Sequence, residues 1–196
     1  AIRYRLVGSE MCIRDSCVNN LEPEYLGLAS LFSRTVVYFE NPSSVLSIAM
    51  SRICPSTTIE CGPPAEPTGI ERAFQFVDDA LHMSHLPQKC REEISLYHTM
   101  GRILLKPGAD FGFSGEKASL IFPTNLEQLN FSPLPKGFEL ARLKSQKLPL
   151  TVVDEKGMDL TSNFFKISEG RVVTQRPIIP SMFTKDRNII QSDCVG

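Results

Sequence analysis

The order of apolar and polar positions changes once along this chain, and each part predicts a different kind of structure. From residue 23 to about residue 86, helical and strand-like segments alternate, whereas after Pro87 short strand-like runs are separated by Pro and Gly turns. The first pattern is typical of an α/β domain and the second of an antiparallel β domain. The sequence therefore predicts an α/β domain over residues 17–90, followed by a smaller antiparallel β-rich domain over residues 91–196 that is truncated at its end.

The first part predicts three helices and two strands. Apolar residues three and four positions apart predict the helices, with Ser43 and Ser44 as caps of the second and Thr68 as the cap of the third. β-branched residues fill both strands, which is typical of buried parallel strands, so residues 35–60 predict a βαβ unit. The predicted helices are 23–33, 45–53 and 68–81, and the predicted strands are 35–39 and 55–60.

In the second part, five strands are predicted between Pro and Gly turns. Residues 129–150 contain three prolines and are expected to be irregular, apart from a helical turn at 139–143. Tyr97 and Phe111 are expected to be core residues. The predicted strands are 94–98, 102–105, 118–122, 150–153 and 171–173.

Composition narrows the functional classes. A net charge of −1 gives no basic surface for nucleic acid or for a membrane, and no apolar run approaches the ~20 residues of a membrane span. The six cysteines show no Cys-x-x-Cys spacing, which favours reduced thiols in a cytoplasmic protein. With 196 residues and 42% hydrophobic content, the chain can form a packed core.

Glu60 is the strongest candidate for chemistry. It follows the β-branched run at 56–59 and precedes Cys61 and Gly62, so it is expected near the carboxyl end of a parallel strand. Ligands of open α/β sheets bind at that edge. The alternative is a solvated glutamate at a strand end, and a turn explains Gly62 as well as close backbone approach does.

The segment IECGPPAEPTGIERA at residues 59–73 resembles the succinylglutamate desuccinylase/aspartoacylase family, which is related to the zinc carboxypeptidases and presents its catalytic glutamate on a strand of the form IE[VC]G. Residues 26–41 and the helix after them resemble the elements that lead into that strand. Residues 148–163 and 176–194 resemble the β-rich carboxyl-terminal region of the same family. The resemblance covers most of residues 17–196.

The resemblance implies a zinc-dependent amidohydrolase that cleaves the amide bond of N-acyl amino acids or related carboxylates. Such an enzyme holds zinc through a His-x-x-Glu pair and a later histidine, and a metal-bound water attacks the amide carbon. Glu60 would act as general base and then as general acid. An arginine would bind the substrate carboxylate. Arg52 is the first candidate for that role, ahead of Arg72, and the alternative for each is a surface position without a role in binding.

Two features predict that the zinc ligands are missing. Residues 1–16 include LVGSEMCIRDS, which resembles the translation of a sequencing adapter, and they are left out of the predicted fold. No His-x-x-Glu occurs, and no histidine lies between Cys17 and Glu60. The chain is thus expected to be an inactive carboxyl-terminal fragment, with homo-oligomers possible through its incomplete amino-terminal part.

Other arrangements remain open at this stage. His82 and His85 are spaced as helical metal ligands can be, although an interaction with the helix carboxyl terminus is expected. Cys61 with His98 would form a nucleophile and base, although a small buried thiol is expected. The alternative function is a non-enzymatic binding or regulatory module in which the β-rich domain is the working part.

Overall fold

The computed structural model describes residues 14–40, 45–62 and 66–196. It is a mixed α/β protein, which confirms the predicted fold class, and it divides into two compact units, Ala1–Thr99 and Met100–Gly196. The sequence placed this division after residue 90. No helix in the described ranges is long and apolar enough to cross a membrane.

Unit 1 contains one four-stranded sheet and three helices in the described ranges. The predicted cap residues Ser43 and Ser44 lie outside those ranges. The strands are β1 (Arg14–Val18), β2 (Thr35–Tyr38), β3 (Thr58–Cys61) and β4 (Ser95–His98), and the helices are α1 (Pro23–Ser30), α2 (Leu46–Met50) and α3 (Pro67–His82).

The strand order in this sheet is β3-β1-β2-β4, and the directions differ from the prediction. β1, β2 and β4 are parallel, whereas β3 is antiparallel to β1. The expected βαβ unit over residues 35–60 is therefore wrong, because β3 runs in the opposite direction to β2. The parallel pair connected by a helix lies one element earlier, in β1, α1 and β2.

The sequence does not predict strand β1, because residues 1–16 resemble an adapter translation and lie outside the predicted fold. The structure places residues 14–16 in the centre of the sheet, between β2 and β3. Ser16 Oγ donates a hydrogen bond of 2.9 Å to the carbonyl oxygen of Ala29 in α1. The small core on this side of the sheet consists of Val18, Tyr25, Ala29 and Val36.

Strand β4 corrects a second expectation. Its residues were predicted as the first strand of the β-rich domain, but β4 pairs in parallel with β2 and completes the sheet of unit 1. The sequence pattern could not show this, because the partner strand lies far away along the chain.

Unit 2 is β-rich, with a five-stranded sheet in the order β10-β11-β8-β7-β6 and a two-stranded sheet of β5 and β9. All pairs are antiparallel except β6 with β7, which are parallel. A 3-10 helix spans Leu126–Leu129. The strands and helices are β5 (Arg102–Leu105), β6 (Phe111–Phe113), β7 (Leu120–Phe122), β8 (Glu139–Leu143), β9 (Leu150–Val153), β10 (Phe165–Ser168), β11 (Arg171–Thr174), α4 (Thr161–Phe164) and α5 (Arg187–Ser192).

The expected helical turn at residues 139–143 is wrong, since these residues form β8 in the middle of the larger sheet. Leu140 is fully buried and packs in the core with Leu120, Phe122 and Val172. Phe111 is buried, as expected, whereas Tyr97 in unit 1 is only half-buried.

Helix α5 begins with a side-chain cap, because the carboxylate of Asp186 accepts hydrogen bonds from the backbone N–H groups at residues 188 and 189.

The first turn of α3 packs tightly against the end of β3. A Cβ atom added at Gly69 would lie 2.1 Å from the carbonyl oxygen of Cys61, a backbone atom that cannot move aside alone. The predicted cap, Thr68, instead lies inside the helix, which begins at Pro67. Glycine at position 69 is thus required by packing against β3.

We expect Gly69→Ala to lower the free energy of unfolding by about 1–3 kcal/mol, the usual cost of overpacking. Glu71→Ala, on the exposed side of the same helix, should change it by less than about 0.5 kcal/mol. Urea unfolding followed by circular dichroism measures both. A gain of about 1 kcal/mol for Gly69→Ala, as in an unhindered helix, would contradict the close packing.

Candidate active site at the end of strand β3

Glu60 is the third residue of β3, and its side chain is 7% exposed. Gly62, the second residue after it, is buried and has a φ angle of 86°, which side chains other than glycine disfavour. The glycine therefore turns the chain sharply where the strand ends. Burial rules out the simplest alternative for Glu60, a solvated glutamate at a strand end.

Asp15 lies directly opposite Glu60 in the antiparallel pair of β1 and β3. Residues in such a pair project from the same face of the sheet, with Cβ atoms about 5 Å apart. Asp15 is 8% exposed, so two carboxyl groups are buried side by side. Both residues take part in further interactions, so neither carboxyl group is isolated.

The neighbours on this face are polar as well. Cys17 Sγ donates to Asp15 Oδ2 over 3.7 Å, and Thr58 Oγ1 donates to Ser47 Oγ over 3.0 Å. Cys17 and Thr58 are cross-strand partners, one pair further along the same face. Glu60 is therefore one member of a buried polar row between β1 and β3. Asp15 was missed from the sequence because residues 1–16 had been set aside.

The position of Glu60 relative to the sheet differs from the prediction. Because β3 is antiparallel to β1, the carboxyl end of β3 lies beside the amino end of β1. Glu60 is thus at the edge opposite the carboxyl ends of the parallel strands. The rule that ligands of open α/β sheets bind at those carboxyl ends does not support a site at Glu60.

Arg52 is exposed and lies in the turn after α2. Its neighbour Ser51 accepts a hydrogen bond of 2.7 Å from Asn19 Nδ2, and Asn19 directly follows the carboxyl end of β1. Arg52 and Glu60 therefore lie towards opposite ends of β3. Arg72, the second arginine considered, is exposed on α3.

The Cys61 and His98 pair is not formed. The two residues lie on β3 and β4, the two outer strands, with β1 and β2 between them. Burial raises the pKa of the Cys61 thiol, and the charge of Glu60 raises it further. A raised pKa lowers the thiolate fraction at neutral pH, so Cys61 is not activated as a nucleophile.

Of the two histidines near the end of α3, His82 contacts the helix itself. His82 Nδ1 donates a hydrogen bond of 2.9 Å to the carbonyl oxygen of Asp78 and lies 3.4 Å from Asp78 Oδ1. The His82 ring therefore contacts the backbone of its own helix near the carboxyl-terminal end. His85 is exposed and lies beyond the helix.

Zinc does not fit the described residues. Within residues 14–40, 45–62 and 66–196, no group of three His, Cys, Asp or Glu side chains is arranged to hold a metal ion. Three protein ligands are the usual minimum for catalytic zinc. The described residues therefore do not supply the ligand set of a catalytic zinc site.

No family model and no curated protein sequence matches this chain. Among solved structures, a succinylglutamate desuccinylase from a Silicibacter species aligns with a TM-score of 0.39 and 11% sequence identity, over 85% of this chain and 53% of that protein. The succinylglutamate desuccinylase from Chromobacterium violaceum aligns with a TM-score of 0.41 and 14% identity, over 92% of this chain and 61% of that protein. The chain thus spans little more than half the length of either, and TM-scores this low do not establish a shared family.

The pKa of Cys61 leads to a test of thiol reactivity. At pH 7.5 we expect exposed Cys54 to react with a thiol reagent such as DTNB clearly faster than Cys61, because burial and Glu60 both disfavour the Cys61 thiolate. The Cys61 rate should continue to rise at pH values above the ordinary thiol pKa. Peptide mapping after timed labelling assigns the rates, and faster labelling of Cys61 than of Cys54 would contradict the raised pKa.

Proposed function

We propose that Glu60 is the proton-transfer residue of an amidohydrolase, and that this chain is the carboxyl-terminal part of that enzyme. The observation that carries the proposal is a glutamate that is 7% exposed at the end of a strand and precedes a glycine of positive φ. A buried glutamate is uncommon unless the structure or the function requires it. The resemblance of residues 59–73 to the desuccinylase/aspartoacylase family supports the catalytic reading.

In this proposal, the Glu60 carboxylate accepts a proton from the attacking water and passes it to the leaving amine. A buried side chain on a strand that is paired with β1 keeps its position during both transfers, which favours catalysis.

The substrate class in this proposal is an N-acyl amino acid or a related carboxylate. Arg52 was predicted to bind the substrate carboxylate, but a carboxylate bound there would lie at the other end of β3 from Glu60. We therefore leave Arg52 out of the proposed site. Any zinc required for water activation would be bound by residues outside the described part of this chain.

The first test concerns the chain by itself. We expect the purified chain, after incubation with zinc and desalting, to retain far less than one zinc ion per molecule and to hydrolyse N-acyl amino acids at background rates. The reason is the missing set of three ligands in the described ranges. Atomic absorption and an amine-release assay measure both. Stoichiometric zinc together with turnover would overturn this expectation.

The second test uses a longer natural form of the protein, obtained by recovering the upstream coding sequence. If that protein hydrolyses N-acyl amino acids, Glu60→Gln should lower kcat by at least the ~100-fold typical of lost general acid/base catalysis. KM should change much less, because the lost interaction belongs mainly to the transition state.

The matched control is Glu93→Gln, which changes an exposed glutamate of the same unit. It should leave kcat unchanged. Melting temperature and metal content are measured on the same preparations, so that loss of folding is separated from loss of chemistry. A folded Glu60→Gln variant with wild-type kcat would refute the catalytic role and favour a non-enzymatic module.

A further inference from the structure

Helix α3 exposes four of its five large apolar side chains. These four lie on one line along the helix, because their spacing is four, three and four residues. We call this line the α3 stripe. Its residues and their exposed fractions are Ile70 at 62%, Phe74 at 73%, Val77 at 50% and Leu81 at 76%.

The adjacent side of α3 is the one that packs within unit 1. Gly69 is buried against the end of β3, and Ala73 and Ala80 are half-buried. Phe76 contacts Phe32 edge to face, with 6.0 Å between the ring centroids. Small residues and one aromatic ring therefore form the side of α3 that packs within unit 1. The α3 stripe does not take part in this packing.

Single exposed apolar residues are normal on protein surfaces, but a continuous row of four large ones marks an interaction site. The spacing of the α3 stripe is that of the a and d positions along a seam between two packed helices. The shape of the stripe therefore fits another helix.

Charge selects among the possible occupants. Glu71 and Asp78 are exposed and lie on one flank of the stripe, seven residues apart, whereas Ala73 and Ala80 form the other flank. A second copy of α3 packed antiparallel would bring this acidic flank against its own copy, with repulsion between like charges. Anionic lipid surfaces attract basic segments and are disfavoured for the same reason.

We propose that the α3 stripe binds an amphipathic helix of another protein, with Lys or Arg on the flank that faces Glu71 and Asp78. The apolar side of that helix covers Phe74 and its neighbours. This proposal does not depend on the catalytic role of Glu60.

The probes are two designed helical peptides with Leu at the a and d positions, one with Lys and the other with Glu at the flanking e and g positions. Fluorescence anisotropy measures their binding to the whole chain. We expect the Lys peptide to bind at least about fivefold more tightly than the Glu peptide, and this preference to shrink at high salt.

Variants of α3 identify the surface. Phe74→Ser should weaken binding of the Lys peptide about tenfold, as loss of a central aromatic anchor does. Gln75→Ser, on the polar side of the same helix, is the matched control and should have no effect. Because Phe74 is 73% exposed, Phe74→Ser should fold normally, and circular dichroism checks this. The pair Glu71→Lys and Asp78→Lys should reverse the preference in favour of the Glu peptide.

Three results would each overturn the proposal. The first is equal binding of the two peptides, or a preference that Glu71→Lys and Asp78→Lys do not alter. The second is a dimer in sedimentation experiments that Phe74→Ser converts to a monomer, which would identify a second copy as the occupant. The third is binding to phosphatidylserine vesicles that Phe74→Ser abolishes, which would identify a membrane surface.

Discussion

The antiparallel pairing of β3 with β1 determines the surroundings of Glu60. It fixes the register that sets Glu60 opposite Asp15 and buries both carboxyl groups. It also decides which edge of the sheet the end of β3 reaches. Because Gly69 packs on the carbonyl group of Cys61, the same strand end fixes where α3 begins. A parallel β3 would have left Glu60 at the other edge, beside different neighbours.

Local sequence patterns predict the bounds of a strand correctly where turns flank it on both sides. β5 and β9 have the predicted bounds, 102–105 and 150–153, because Pro and Gly turns mark their ends. β8 was missed since Glu, Leu, Ala and Arg all favour helices, and burial between β7 and β11 overrode that preference. The direction of β3 and the sheet that β4 joins depend on distant partners, which a local pattern does not contain.

In the candidate site, too, the sequence predicts local features but not contacts between distant residues. The sequence identified Glu60 and the turn at Gly62, because the strand and glycine signals are local. It missed Asp15, whose proximity depends on strand register. For α3 the periodicity identified an apolar helix, but it could not tell that the small residues would pack while Phe74 and Leu81 stayed exposed. The close packing of Gly69 against the backbone of β3 sets which side of α3 faces unit 1. The sequence of the helix does not contain this contact.

The late position of β4 in the chain has a consequence for synthesis. Thr35 of β2 pairs with Ser95 of β4, so the sheet closes only after α1, α2, β3 and α3 have all been made. Contacts between distant residues carry a large loop-closure cost and slow folding. On the ribosome, the edge of β2 therefore stays open until residues 95–98 have left the exit tunnel. During that interval the nascent chain presents the open edge of a β-branched strand, the kind of segment that chaperones protect and that aggregates when they do not.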